Sequence, residues 1–387
     1  MLLLLGDFYP EPKRAGIVPG MRLGYFTQPV HPPAKDYRQV LRENREAVLL
    51  ADELGYVEAF FGEHITDRAE PITSNLMFIA SLAHDATRIT FGTAAVTLPS
   101  YHPAMVAGHV AMIDNMTDGR FIFGIGPGGL LSDAEMFESM DVDRNAKMLQ
   151  SIDMILAIWA GEPPYNLKND YWTATTERTL NAAIGQGIVS TPLQKPHPPI
   201  VVTSITPYSK GITAAAARGW DPITSNYVQA HWVATHFQKF LEGLEQAGRP
   251  VNGSGWRVAK SIFVADDDAK ARAYAKTPFG PYGFYFRNIM TKLVGNGRPE
   301  LFRAYPDQPD DQVSLEQSLD TQVIAGDVNS VVDQILAFRE EIGEFGTLLY
   351  TGHDWMEPAL DKRSMELMAT EVMPRVNEAL GERTAAE

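Results

Sequence analysis

The sequence predicts an α/β protein folded as one (β/α)8 TIM barrel. Eight strand-then-helix units alternate along its 387 residues, and such alternation implies parallel strands joined by right-handed crossovers. A doubly wound open sheet would place a glycine-rich phosphate loop directly after the first strand, but residues 28–35 read QPVHPPAK. Polar residues also follow several predicted strands, at the barrel end where active sites lie.

The first four units occupy residues 21–159. An apolar strand at 21–27 is followed by a helix at 37–54, in which apolar residues recur at helical spacing up to Gly55. The remaining elements of this half are predicted as strands at 57–62, 88–98 and 120–125, and helices at 74–83, 103–116 and 145–159.

Two insertions interrupt the alternation, one after unit four and one after unit seven. Residues 161–198 and 277–320 are rich in proline, glycine or aromatic residues, so we predict irregular structure in both. The aromatics of the second insertion could form a mobile lid or a subunit contact: Phe279, Tyr282, Phe284, Tyr285 and Phe286. The later strands are predicted at 199–203, 220–224, 257–265 and 347–350, and the later helices at 209–218, 231–247, 266–276, 328–341 and 363–380.

No linker divides the chain, so residues 21–380 are predicted to form one domain with a short tail at 381–387. Residues 1–20 are interpreted as an appended N-terminal arm, with a docked extension or a start site chosen upstream of Met21 as alternatives. The first five residues are apolar, but acidic Asp7 and Glu11 follow, unlike a secretory signal. We therefore expect a cytoplasmic enzyme.

Composition excludes several classes of function. The net charge of −15 disfavours a sequence-independent grip on nucleic acid or an anionic membrane. The chain has no cysteine, which excludes disulfides, thiolate catalysis and cysteine-ligated metal centres. No apolar run approaches the roughly 18 residues that span a bilayer.

His64 is the leading candidate for catalysis, because it follows an apolar strand and its ordinary pKa of about 6.5 allows proton exchange near neutral pH. A structural histidine that caps the next helix is the alternative. A metal site would need His64, His102 and His353 to converge, with Glu63 or Asp354 added. No HxxxH or HxH pair supports that hypothesis, so we predict no metal.

Two further groups of small or hydroxyl residues are candidate binding elements. Thr93, Ala94 and Ala95 within the third strand leave room for a flat ring or serve barrel packing. Gly126, after the fourth strand, belongs to a glycine-dense stretch at 124–129 that lacks the spacing of a dinucleotide-binding loop and has a flexible loop as its alternative. Ser204, Thr206 and Ser209 precede a helix, where hydroxyls and backbone N–H groups favour phosphate or simply cap the helix.

Several motifs resemble bacterial luciferase and its flavin-dependent monooxygenase relatives. They are FFGEH at 60–64, FGTAAVTLPSYHP at 91–103 and DNMTDGRFIFGI at 114–125. Stretches such as KGITAAAARGWDPI and SMELMATEVMPR resemble the limonene 1,2-monooxygenase-type branch. The resemblance covers roughly residues 21–380, with gaps at both insertions.

The resemblance implies a role for each candidate residue. His64 matches the catalytic histidine, and Ala94–Ala95 matches the pair that supports the flavin ring, where a cis peptide bond is frequent. Thr93, Gly126, Ser204, Thr206, Ser209 and Arg144 fall in the cofactor region. One departure is that Gly126-Pro127 stands where luciferases place a phosphate-binding arginine. The substrate is expected to contact Phe26, Phe60, Tyr101, His102 and Trp355, mostly at the rim of the barrel.

By this resemblance the protein is a two-component monooxygenase. A separate flavin reductase would use NAD(P)H to supply reduced FMN or FAD, which forms a C4a-hydroperoxyflavin with O2. The substrate would be small and hydrophobic, either a terpene such as limonene or a ketone or aldehyde. The alternatives are a deazaflavin (F420)-dependent hydride-transfer oxidoreductase and a non-catalytic flavin-binding protein. We also expect a homo-oligomer, and no nucleic-acid or membrane partner.

Overall fold

A computed structural model describes residues 20–27 and 30–386. The predicted N-terminal arm therefore lies almost wholly outside the described residues. The strands are β1 (Arg22–Thr27), β2 (Glu58–Phe61), β3 (Thr90–Thr93), β4 (Val96–Thr97), β5 (Phe121–Gly126), β6 (Asn166–Lys168), β7 (Thr173–Thr175), β8 (Ile200–Ser204), β9 (Asp221–Thr224), β10 (Arg257–Val264), β11 (Val323–Gly326) and β12 (Thr347–Gly352).

Helices follow the barrel strands, and most of them pack outside the barrel. They are α1 (Tyr37–Glu53), α2 (Asn75–Ala80), α3 (Pro103–Met116), α4 (Leu131–Met136), α5 (Arg144–Ala160), α6 (Lys210–Ala217), α7 (Ala230–Gln246), α8 (Asp268–Ala275), α9 (Pro281–Gly295), α10 (Leu315–Gln322), α11 (Val328–Ile342), α12 (Pro358–Leu367) and α13 (Met373–Ala386).

Eight parallel strands close into a barrel, which confirms the predicted fold class. They pair in the order β1, β2, β3, β5, β8, β9, β10 and β12, and β12 pairs with β1. β11 is an additional short strand beside the second half of β10. Seven of the eight predicted strands agree with the structure to within two residues at each end.

Side chains fill the barrel interior, so the lumen is a packed core. One buried cluster receives a residue from each barrel strand or its immediate end: Phe26, Phe60, Ala94, Ile122, Val201, Ile223, Ala259 and Leu349. At the amino-terminal end of the strands, Glu58 and Arg257 form a bidentate ion pair, with Nε–Oε1 at 2.7 Å and Nη2–Oε2 at 3.0 Å. The opposite, carboxyl end is therefore where a ligand can enter.

The predicted third strand, 88–98, differs from the structure in one respect. It is interrupted between β3 and β4, and the Ala94–Ala95 peptide bond at the interruption is cis, as the resemblance implied. β4 nevertheless continues along β5, since Val96 pairs with Ile125 and Thr97 with Gly126.

The prediction of irregular structure over 277–320 was wrong in part. This segment contains α9 and the start of α10. Gly280 and Pro281 suggested a loop, but they are the N-cap and first residue of α9, where proline is favoured because its missing N–H needs no partner. Gly283 is also required inside the helix, because a Cβ there would lie 2.4 Å from Thr277 O. The first insertion does contain a short antiparallel hairpin, β6–β7.

Candidate active site

The candidate site lies at the carboxyl ends of β2, β3–β4 and β5, and His64 is at its centre. His64 follows β2 and lines two adjoining clefts. The first is also lined by Thr27, Asn44, Gly62, Glu63, Glu70, Pro71 and Ile72. The second is also lined by Thr97, Ser100, Pro127, Gly128, Gly129, Leu130, Asp133, Ala134, Ser139 and Arg144.

Two carboxylates face different nitrogens of the His64 ring. Nδ1 lies 3.2 Å from Asp133 Oδ2, and Nε2 lies 3.5 Å from Glu70 Oε2. Burial by itself lowers the pKa of His64, but the negative charges of Glu70 and Asp133 outweigh it and hold the pKa above the ordinary value. His64 therefore remains protonated to higher pH than a solvated histidine.

Asp133 positions the whole segment that carries His64. Its carboxylate accepts hydrogen bonds from Thr66 N at 2.8 Å, Thr66 Oγ1 at 2.7 Å and Ile65 N at 3.2 Å. Burial opposes ionisation of Asp133, but His64 and Thr66 lower its pKa to about 2. An ionised carboxylate only accepts hydrogen bonds, so Asp133 fixes a proton on His64 Nδ1, and Nε2 is left to exchange a proton.

Glu63 ties the His64 segment to its neighbours. Its carboxyl oxygens accept from Thr97 N at 3.1 Å and from Asn75 N at 3.3 Å, and Tyr101 also bonds to it. Burial raises the pKa of Glu63 to about 7 despite these donors. The link to Thr97 places His64 beside the interrupted third strand.

The interruption between β3 and β4 depends on close backbone packing. Thr93 Oγ1 donates to Gly124 O at 2.7 Å and accepts from Gly124 N at 2.8 Å. A Cβ on Gly126 would lie 3.1 Å from Ala95 Cβ and 3.6 Å from Thr203 Oγ1. Thr93, Ala94, Ala95 and Gly126 therefore lie together as a group of small residues.

The residues predicted to bind phosphate form two groups, one on each side of β5. Arg144 is the first residue of α5, which Asp143 caps, and it lines the same cleft as His64. Among the described residues, buried Arg144 Nη1 has no hydrogen-bond partner. Ser204, Thr206 and Ser209 follow from the neighbouring strand β8, and Ser209 caps α6.

A buried chain of hydrogen bonds holds the 204–209 segment in place. Trp256 Nε1 bonds to Thr224 Oγ1 at 3.0 Å, Thr224 Oγ1 to His236 Nδ1 at 2.9 Å, and His236 Nε2 to Thr206 O at 2.8 Å. Sequence reasoning missed His236, because it lies inside α7 on the outer layer, 30 residues from its partner.

The predicted substrate residues have different surroundings from those expected. Phe26 and Phe60 are buried in the lumen instead of at the rim, because their strand positions point inward. Trp355 packs in the outer core, with Lys362 over its ring. His102 caps α3 and its Nε2 lies 3.2 Å from Thr173 O. Of the five, Tyr101 has the most direct link to His64, through Glu63.

α9 covers the barrel mouth on the side of β9, β10 and β12. Tyr282 and Tyr285 are buried and contact the His353 ring, and Tyr285 bonds to Asn226. Phe286 is also buried and Phe284 packs against this cluster, whereas Phe279 is 85% exposed. His353 Nε2 lies 3.0 Å from Ser261 Oγ. Burial lowers the pKa of His353 to about 3, so this imidazole is neutral.

His64, His102 and His353 thus contact three different groups of residues. Within the described part of the chain, one set of possible metal ligands does converge, formed by His31, Glu43 and Asp354. Lys35 Nζ lies 2.5 Å from Glu43 and 2.7 Å from Asp354, so an ammonium group already balances these carboxylates. No described helix combines the length and apolarity needed to cross a membrane.

Comparisons with known proteins agree with this geometry. The family model "Luciferase-like monooxygenase" matches residues 21–344. Limonene 1,2-monooxygenase of Rhodococcus erythropolis is 30% identical, with 93% of this chain and 88% of that protein covered. 4-Hydroxyprotoasukamycin monooxygenase of Streptomyces nodosus subsp. asukaensis is 29% identical, with 94% of each covered.

A solved structure of a monooxygenase is also similar to this chain. The oxygenating constituent of 3,6-diketocamphane monooxygenase from Pseudomonas putida, a type II Baeyer–Villiger monooxygenase in complex with FMN, superposes with a TM-score of 0.83. It is 25% identical, with 92% of this chain and 99% of that chain covered.

Proposed function

The chain belongs to the luciferase-like monooxygenase family, and on that premise we propose that it uses reduced FMN and O2 to oxygenate a small hydrophobic molecule bearing a carbonyl or an alkene. The observation that carries this proposal is the position of His64. Its imidazole lies between two carboxylates and shares a cleft with Thr97, just after Ala94–Ala95, and with Arg144.

The residues present fit a flavin. A flat ring needs a wall of small residues, and Ala94, Ala95 and Gly126 provide one, since even a Cβ on Gly126 would nearly touch Ala95. An anionic tail needs donors, and Arg144 Nη1 is buried without a partner among the described residues. Ser204, Thr206 and Ser209 supply hydroxyls at the start of α6. When bound, reduced flavin supplies the electrons that activate O2.

His64 is proposed to act as the proton donor of the site. Asp133 holds its Nδ1 and leaves Nε2 as the exchanging atom. The two flanking carboxylates hold the pKa of the ring above its ordinary value, so the ring stays protonated to higher pH than an isolated imidazole. The chain thus presents a proton beside the small-residue wall, where the reacting oxygen would develop negative charge.

The substrate is proposed to be compact and largely hydrocarbon. Two relatives are named for limonene and for diketocamphane, so we propose a monoterpene-sized alkene or cyclic ketone. Because the superposed structure is called an oxygenating constituent, we also propose a separate NAD(P)H-dependent reductase as the source of reduced flavin.

Anaerobic titration of the full-length protein tests the cofactor. We expect reduced FMN to bind more tightly than reduced FAD or reduced deazaflavin, and Arg144→Gln to weaken FMN binding by about tenfold or more. The FMN complex is then mixed with O2 and a panel of cyclic ketones and monoterpene alkenes. Preferential binding of deazaflavin, with substrate oxidised in the absence of O2, would replace this proposal with a hydride-transfer function.

A further inference from the structure

The buried face of α9 brings one lysine to the candidate site. Tyr285 and Ile289 are buried on this helix, and Lys292 follows at the spacing that continues the same face. Tyr282 Oη donates to Ile262 O at 2.7 Å and Tyr285 Oη to Asn226 Oδ1 at 2.8 Å. These bonds fix α9 on the barrel, so the position of Lys292 is determined by the fold.

Lys292 binds two carboxylates of the segment that follows His64. Its ammonium group lies 2.5 Å from Glu70 Oε1 and also forms an ion pair with Asp67. The other oxygen of Glu70, Oε2, lies 3.5 Å from His64 Nε2 and has no hydrogen-bond partner among the described residues. Glu70 is therefore shared between the lysine and the imidazole, and its shorter contact is to the lysine.

The charged groups around His64 come from several elements. Asp133 comes from α4, Lys292 from α9, and Glu70 and Asp67 from the segment after β2. Two more titratable or charged residues line the same clefts: Glu63, next to His64, and Arg144, on α5. Among the contacts that the described residues show, Glu70 binds the lysine and also faces the imidazole. It is therefore one group through which Lys292 can act on His64, beside the direct repulsion between the two positive charges.

We propose that Glu70 and Lys292 are a positioning pair that sets the charge state of the His64 imidazole. Lys292 holds one oxygen of Glu70 and its charge opposes that of the carboxylate, so Glu70 attracts the imidazolium less strongly than a free carboxylate would. Without Lys292, Glu70 would turn toward Nε2 and pair with it. The imidazole would then keep its proton instead of releasing it. This inference rests on the proton-donor role proposed for His64.

The test is a pH titration of the full-length, flavin-free protein carrying ¹³C-labelled histidine, followed by NMR, with His64→Gln identifying the His64 resonance. We expect Lys292→Met to raise the pKa of His64 by about one unit and Glu70→Gln to lower it by about one unit. Lys292→Arg keeps the charge and should leave the value within about 0.3 units of the wild type.

A double variant separates a direct effect of the lysine from one that acts through Glu70. In Lys292→Met/Glu70→Gln, the shift caused by removing the lysine should shrink to less than about a third of its value in the wild-type background. Lys276→Met is the matched control, since Lys276 pairs with Asp320 on the outside of the barrel. No shift in Lys292→Met, or an undiminished shift in the double variant, overturns the proposal.

Turnover provides a second measurement and separates the two proposals. The alkaline limb of the kcat profile should move to higher pH in Lys292→Met, with the wild-type profile restored in Lys292→Arg. If His64 titrates as expected but no substrate is oxygenated, the proposed function fails and the pair stands. If turnover occurs but the pKa of His64 does not change in Lys292→Met, the proposed role of the Glu70–Lys292 pair fails and the proposed function stands. Should Lys292→Met not fold, Glu70→Gln and Lys292→Arg still decide the outcome.

Discussion

At the scale of single residues, the tautomer and charge of His64 are set by its neighbours. Asp133 is ionised and accepts from Nδ1, so it fixes the ring orientation and the tautomer together. Glu70 faces Nε2 across 3.5 Å and stabilises the proton there. Without these carboxylates, burial would hold the pKa of His64 below its ordinary value.

Replacing Asp133 tests this arrangement directly. In Asp133→Asn the amide oxygen can still accept from Thr66 N, but the negative charge beside His64 is lost. The pKa of His64 should fall, so turnover should decline at lower pH than in the wild type. We expect kcat at neutral pH to drop by about 10- to 100-fold. Ser132→Ala, a change at the adjacent exposed residue, should leave the pH profile in place.

The sequence predicted the central residue of the site but not its partners. His64, Arg144 and Ala94–Ala95 could be predicted because each belongs to a short motif or directly follows a predicted strand. Asp133 and Lys292 could not, because their contacts with His64 and Glu70 span 69 and 222 residues along the chain. Glu70 is near His64 in sequence, but no motif marked it. Only closure of the barrel and docking of α9 bring these side chains together.

At the scale of elements, β5 can lie against the interrupted third strand only because it carries a glycine. A Cβ on Gly124 would lie 1.6 Å from Thr93 O. Gly124→Ala must therefore displace β3 and the two hydrogen bonds of Thr93. We expect a loss of about 1–3 kcal/mol in the free energy of unfolding, measured with urea. Gly129→Ala has open space around its Cβ and should be neutral; equal losses in both variants would contradict this account.

The chain of hydrogen bonds through His236 gives a pH dependence to stability. Burial lowers the pKa of His236 to about 4, against a hydrogen bond to Thr206 that raises it. The unfolded chain, with an ordinary pKa near 6.5, therefore binds a proton first as the pH falls. The contribution of neutral His236 to the free energy of unfolding is complete above about pH 6.5 and is lost toward pH 4. The free energy of unfolding should fall by about 2 kcal/mol from this group between pH 7 and pH 5.

His236→Gln isolates that effect, because an amide can accept from Thr224 and donate to Thr206 but does not titrate. Urea unfolding at pH 7 and pH 5 should show a smaller pH-dependent loss in the variant than in the wild type, by about 2 kcal/mol. An identical loss in both proteins would assign the acid sensitivity to other groups.

Elements were predictable where the hydrophobic pattern was regular. The strands of seven units are apolar runs, and helices such as α3 and α11 follow in the expected alternation, so their bounds agree closely with the prediction. α9 was missed because Gly280, Pro281 and Gly283 look like a loop when read locally. Their roles, as an N-cap, a first helical residue and a close approach to Thr277, depend on three-dimensional context.

At the scale of the whole molecule, the barrel begins with β1, and the family match begins at residue 21. Met21 N donates to Asn377 Oδ1 at 2.7 Å, and Asn377 Nδ2 donates to Met21 O at 3.1 Å. These bonds join the residue before β1 to the last helix, α13. We propose that a variant lacking residues 2–18 folds and turns over like the full chain. A fall of several degrees in Tm, or a large loss of kcat, would show that this segment belongs to the domain.

The homo-oligomer stays a prediction, which light scattering of the purified full chain can test.

The central claim concerns His64, the small-residue wall and activated O2 together. The most direct measurement is a single turnover of the reduced-FMN complex under ¹⁸O2, with a cyclic ketone or alkene substrate, in wild type and His64→Gln. We predict one labelled oxygen atom in the wild-type product. In the variant, product formation should be at least about 10²-fold slower, with the label in hydrogen peroxide instead. Unlabelled product, or equal labelled product from both proteins, would contradict the account.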